Sequence, residues 1–98
     1  MSADLNTAIV AYLGYKRASY PQADWRAVVD AIGLERAQAI EIEMLVILSK
    51  LHEFEPDWRV HTLTTASELA VHELRKRHPE IGDRTGKALF WAYSYQQK

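Results

Sequence analysis

Between residues 37 and 54 the apolar positions alternate by three and four: Ala37, Ile40, Met44, Ile47, Leu51 and Phe54. That spacing predicts a helix over about residues 34–54 with one seam turned toward a partner helix. Ile42, Leu45, Val46 and Leu48 add apolar surface on its other sides, and only a strip through Arg36, Glu43 and Lys50 stays polar. A helix apolar around most of its circumference is expected at the centre of its domain. At 1.5 Å per residue it would be roughly 30 Å long.

The same periodicity places four more helices. Leu5, Ala8, Ile9, Tyr12 and Leu13 predict one over about 3–18, with Asp4 and Asn6 near its start. After Pro21 a short helix over about 22–32 turns Trp25, Val28, Val29 and Ile32 to one side, and Gly33 is its natural stop. Leu63, Ala66, Ala70, Val71 and Leu74 predict a helix over about 65–77, with Thr65 and Glu68 fitting a capping box. Arg75, Lys76 and Arg77 match the negative end of its dipole, and Pro79 closes it. A last helix covers about 83–96, with Asp83 as its expected cap. No segment alternates with period two. The expected fold is all-α: one domain, residues 1–98, a bundle of four to five helices around a long central one.

Composition bounds what such a bundle does. The chain is 48% hydrophobic and 26% charged, a globular balance, and its formal net charge of −1 offers no general field for nucleic acid. It has no cysteine, which excludes disulfides and thiolate metal sites. The start, M-S-A-D-L-N-T, has an acid early and no basic residue before Lys16, unlike a signal peptide, and no apolar run, Met44–Leu48 included, approaches the length of a membrane span. The expected location is the cytoplasm, with no membrane partner.

Several motifs suggest chemistry, and each fails on its spacing. G82-D83-R84-T85-G86-K87-A88 resembles a phosphate-binding loop, but three residues rather than four precede Gly-Lys, and Ala88 stands where Ser or Thr should bind magnesium. A turn at Gly82, with Gly86 letting another helix approach, accounts for it. Val28–Ala37 has the order of a helix-turn-helix, but its second helix presents Glu35, Glu41 and Glu43, which repel phosphates. His52-Glu53 and His72-Glu73 each begin a zinc-protease motif, yet Pro56 and Lys76 occupy the place of the second histidine. His61 and His78 complete no metal set. Glu41 and Glu43 lie on different faces of the long helix, nothing marks either of them or Glu53, Glu55 and Asp57 for the burial that would tune a carboxylate for proton transfer, and no nucleophile elbow exists. The expectation is a protein without catalytic residues, metal, cofactor or nucleic-acid partner.

Two features remain. Residues 41–58 carry Glu41, Glu43, Glu53, Glu55 and Asp57 against Lys50 alone, whereas residues 59–98 carry seven bases against four acids. An acidic patch of this kind steers a basic partner. The tail L89-F90-W91-A92-Y93-S94-Y95 is aromatic beyond what one helix face can bury: Leu89, Ala92 and Tyr93 can pack inward, leaving Trp91 and Tyr95 on a second face. Trp58, ringed by charge, is a similar contact candidate. The candidate partner-binding residues are thus Glu43, Glu53, Glu55, Asp57, Trp58, Trp91 and Tyr95.

Taken in order, the segments Y20-P21, the long apolar helix, T62-L63-T64, A70-V71-H72-E73-L74, H78-P79-E80-I81 and the helix with A92-Y93 resemble small all-helical immunity proteins of bacterial antagonism. The most similar are those paired with type VI secretion toxins that consume NAD or make modified adenosine nucleotides. The resemblance spans about residues 5–95. The R75-K76-R77 segment and the aromatic tail depart from it. It implies a cytoplasmic inhibitor that binds a cognate protein toxin and occludes its active site. On that reading Glu53, Glu55, Asp57 and Trp58, extended by Glu43, would face basic residues of the toxin. The alternative is a helical adaptor that homodimerises through its aromatic C-terminal helix.

Overall fold

A computed structural model describes residues 2–96, which form five helices: α1 (Ser2–Leu13), α2 (Trp25–Ile32), α3 (Leu34–Glu53), α4 (Leu63–Arg77) and α5 (Asp83–Gln96). There is no strand among the described residues. The expected all-α bundle is therefore the fold, and its Cα radius of gyration of 13.1 Å is that of a closely packed chain of this length.

The predicted α3 seam is the core. Ala37, Ile40, Met44, Ile47 and Leu51 are buried, and α3 packs against all four other helices. Burying a side chain the size of Met44 or Ile47 contributes about 1.5–3 kcal/mol. Leu5, Ala8 and Ile9 of α1, Val28 of α2, Ala70 and Leu74 of α4, and Leu89 and Tyr93 of α5 complete this core.

Three boundaries differ from the sequence reading, each for a local reason. The first helix stops at Leu13, not near residue 18. Gly14 adopts φ 73°, and the amides of Gly14 and Tyr15 return to the carbonyls of Ala11 and Val10 at 3.2 Å each. That is a glycine-terminated helix end with both crossing hydrogen bonds formed. The remaining end carbonyls are taken by the loop: Gln22 donates to Leu13 at 2.9 Å and Asp24 to Tyr12 at 3.0 Å. α2 begins at Trp25 because the Asp24 side chain accepts from the Ala27 amide at 3.1 Å. α4 begins at Leu63 with Thr62 as its cap. The Thr62 hydroxyl accepts from the Thr65 amide at 3.2 Å, and the Thr65 hydroxyl accepts from the Thr62 amide at 2.9 Å. The capping box is thus Thr62 with Thr65, three residues earlier than Thr65 with Glu68.

Gly33, φ 87° and ψ 154°, ends α2 and opens α3 in a conformation nearly confined to glycine. Asp83 is the first residue of α5 rather than its cap, and its carboxylate accepts from Arg75 at 3.1 Å. Gly86 is buried where α5 meets Val71 and Arg75 of α4, but an added Cβ would meet only their side chains at 3.6 Å, ordinary contact, so the approach expected of it does not require glycine.

Candidate functional site

The seam uses only one side of α3. Ile42, Leu45 and Val46, expected on a central helix to meet neighbours, are 78%, 43% and 42% exposed. Among the described residues no helix covers that side, so α3 lies at the edge of the bundle along its outer face. Leu34, also exposed, lies at the start of the helix and is separated from Ile42 by the polar Glu35, Gln38 and Glu41. Ile42, Leu45, Val46, Ser49 and Glu53 recur at the spacing of one helical face and line a shallow groove of about 360 Å³.

Acids border this stripe. Glu35 and Glu43 are exposed on α3, Glu41 is half-buried, and Glu53 closes the groove at its C-terminal end. Among the described residues Lys50 is the one cation lining it. Arg36 carries charge nearby but is engaged: Nε donates to Asp4 Oδ2 at 2.9 Å, and Nη2 donates to Asp4 Oδ1. The polar strip expected through Arg36, Glu43 and Lys50 therefore contains one cation spent on holding α1.

Of the sequence candidates, Glu43 and Glu53 share this face. Glu55, Asp57 and Trp58 lie in the connection that leaves its C-terminal end. Trp58 is 45% exposed, and Val60 beside it is more so. Asp57 is less available than its charge suggests. It accepts from Arg59 Nε at 3.0 Å, from Arg59 Nη2 at 3.1 Å and from the Arg59 amide at 3.0 Å. These bonds hold its carboxyl below the ordinary carboxylate value and form a local turn.

Trp91 and Tyr95 do not form a common exposed surface. Trp91 is half-buried against Tyr15, ring centroids 5.7 Å apart. Tyr95 is 44% exposed and meets Tyr20 at 6.5 Å. Leu89, Ala92 and Tyr93 are buried as expected. Tyr93 donates its hydroxyl to the Phe54 carbonyl at 3.1 Å, which anchors the start of the Trp58 connection to α5. Burial, and secondarily the charge of Glu55, raises its ionisation above the ordinary phenol value.

The shifted carboxyls, Asp4 and Asp57, owe their shifts to hydrogen bonds from Arg36 and Arg59. Both shifts belong to pairs that shape the backbone or join helices. Among the described residues no three His, Asp or Glu side chains gather as metal ligands would, and no helix is long and apolar enough to cross a membrane. No family model, curated protein or solved structure matches the chain. The outer face of α3 offers an apolar stripe in an acidic frame.

Proposed function

We propose that this chain is a non-enzymatic immunity protein that binds a cognate toxin through the outer face of α3 and the Trp58 connection, occluding the toxin's active site. The observation that carries this reading is the uncovered stripe Ile42, Leu45 and Val46. A small domain gains by covering such residues, and an apolar strip with a polar rim is the usual form of a protein contact. The rim acids Glu35, Glu41, Glu43 and Glu53 favour a partner with basic residues around its own apolar centre. They disfavour a second copy of this chain, which would bring the same acids against themselves. Glu55 and Trp58 extend the surface beyond the helix, and Trp58 is the kind of side chain on which binding energy concentrates.

The test uses tagged protein to capture a partner from the source organism in high salt, beside the variant Ile42→Asp/Val46→Asp. The expected partner is stoichiometric, is lost from the variant, harms cells when expressed alone and is neutralised by co-expression of the parent protein. A partner held equally by the variant, or one harmless to cells, overturns the reading.

The alternative adaptor has a narrower base. Trp91 is occupied by Tyr15, so pairing through α5 would rest on Tyr95 and its neighbour Tyr20. Light scattering decides it: a dimer that Tyr95→Ala dissociates would replace the inhibitor reading.

A further inference from the structure

Tyr15 follows the glycine that ends α1, and its ring collects cations. Lys16 Nζ and the Arg84 guanidinium carbon each stand 5.8 Å from the ring centroid. Such contacts restrain long side chains that would otherwise spread through solvent. Arg17 is restrained as well, because its Nη2 donates to the Ala11 carbonyl at 2.9 Å. Lys16 has φ 65°, the one positive φ outside glycine among the described residues, a conformation that costs a lysine free energy. All three cations line one open groove of about 600 Å³ between the end of α1 and the start of α5.

These charges are not compensated. Among the described residues no carboxylate forms an ion pair with Lys16, Arg17 or Arg84. Among the described residues one acid stands on the groove wall, Asp83, which forms an exposed pair with Arg75 at 3.1 Å. A chain of net charge −1 thus gathers three unpaired cations in one concavity, where each raises the electrostatic potential at the others.

We propose that this groove binds an anion bearing two adjacent phosphate groups, held by Lys16, Arg17 and Arg84. Arginine forks match phosphate oxygens, and the exposed hydroxyl of Thr7 on the same wall adds a donor. The groove has the volume of a small-molecule site. The positive excess is also local. Across Tyr15 the next groove is lined by Arg75 and Lys87 against Glu68 and Asp83, so charge balances there. An acidic protein segment or a nucleic-acid strand would need the excess to continue, whereas a diphosphate does not. The site differs in kind from a phosphate-cradling loop, which the spacing of Gly82 to Lys87 excludes: side-chain cations do the binding. It is independent of the α3 surface.

The test is calorimetric titration of the whole protein with sodium pyrophosphate, beside sedimentation with vesicles of phosphatidylglycerol in phosphatidylcholine. The expected result is saturable one-to-one binding of pyrophosphate, weakened by salt and at least about tenfold weaker in Lys16→Ala/Arg84→Ala. The control Lys76→Ala/Arg77→Ala removes equal charge elsewhere and is expected to bind as the parent does. Circular dichroism checks that both variants keep the helices. No saturable pyrophosphate binding, or equal weakening in the two variants, overturns the proposal. So does binding to vesicles without binding to pyrophosphate, which would assign the cations to a lipid surface.

Discussion

Arg36 grips Asp4 by two hydrogen bonds across 32 residues, joining the first turn of α1 to the first turn of α3. The Asp4 side chain is almost wholly buried, while Arg36 keeps more than half its surface in solvent. The hydrogen bond to Arg36 is the chief cause holding the Asp4 carboxyl below its ordinary value of 3.8, against an opposing effect of burial. A depressed acid stabilises the fold fully above its unfolded value and loses that contribution as pH falls through the folded one. Denaturant titrations from pH 6 downward should therefore show stability falling once the pH drops below about 4. Asp4→Asn should flatten that fall, and a fall of equal steepness in the variant would assign it to other groups.

Two glycines should respond to alanine with opposite signs. An added Cβ at Gly33 meets nothing within 4 Å, yet φ 87° makes the backbone itself unfavourable for alanine. Gly33→Ala should cost about 1–3 kcal/mol. At Gly86 the nearest atoms are 3.6 Å from the added carbon, ordinary contact, and the residue is helical. Gly86→Ala should be neutral or stabilise by up to about 1 kcal/mol. Urea unfolding of the two variants gives both signs in one experiment.

The capping register of α4 is testable by a pair of substitutions. Thr62→Ala should cost about 1 kcal/mol, the usual value for a lost helix cap. Glu68→Ala should leave stability within about 0.5 kcal/mol. The reverse order would restore the capping box three residues later.

Tyr93→Phe removes the hydroxyl that bonds the Phe54 carbonyl and should cost about 0.5–1.5 kcal/mol. It should also remove a component from the alkaline phenol titration, since burial lifts Tyr93 above the ordinary value of 10.0. A raised phenol favours the fold below its unfolded value, and that advantage is lost as pH rises through the folded one. Stability should thus decline above about pH 10 in the parent and less in the variant.

The open side of α3 has its own signature, separate from any partner. Ile42→Asp should shift stability by no more than about 0.5 kcal/mol, as surface changes do. Met44→Ala, two residues away on the seam, should cost about 2–5 kcal/mol. Comparable losses from both would mean that the face around Ile42 is covered.

These cases mark what the sequence discloses. The α3 seam is legible because helical period is local: Ala37 through Leu51 name their own face. Gly33 is legible for the same reason, as a glycine at the close of an apolar period. Gly14 is the same kind of signal, but Tyr15 continues the apolar character of Tyr12 and Leu13 past it and masks the stop. The Thr62 cap competes with Thr65 only one turn away, and composition does not choose between them. Period also shows that Ile42, Leu45 and Val46 are apolar without showing whether a neighbour covers them. That depends on where α2 and α4 cross α3. Trp91 finds Tyr15, and Arg84 joins Lys16, only because α5 returns to α1.

That return has a consequence for the order in which the protein can be completed. Asn6 accepts from the Gly82 amide, donates to the Glu80 carbonyl, and through its own carbonyl receives the Thr85 hydroxyl, over separations of 76, 74 and 79 residues. A ribosome delivers α1 first and α5 last. Until the final helix has been translated, Leu5, Ala8 and Ile9 have only α2 and α3 to pack on, and Asn6 has none of these partners. Completion of the fold therefore waits on the synthesis of α5, and a nascent chain halted before α5 would expose part of its interior.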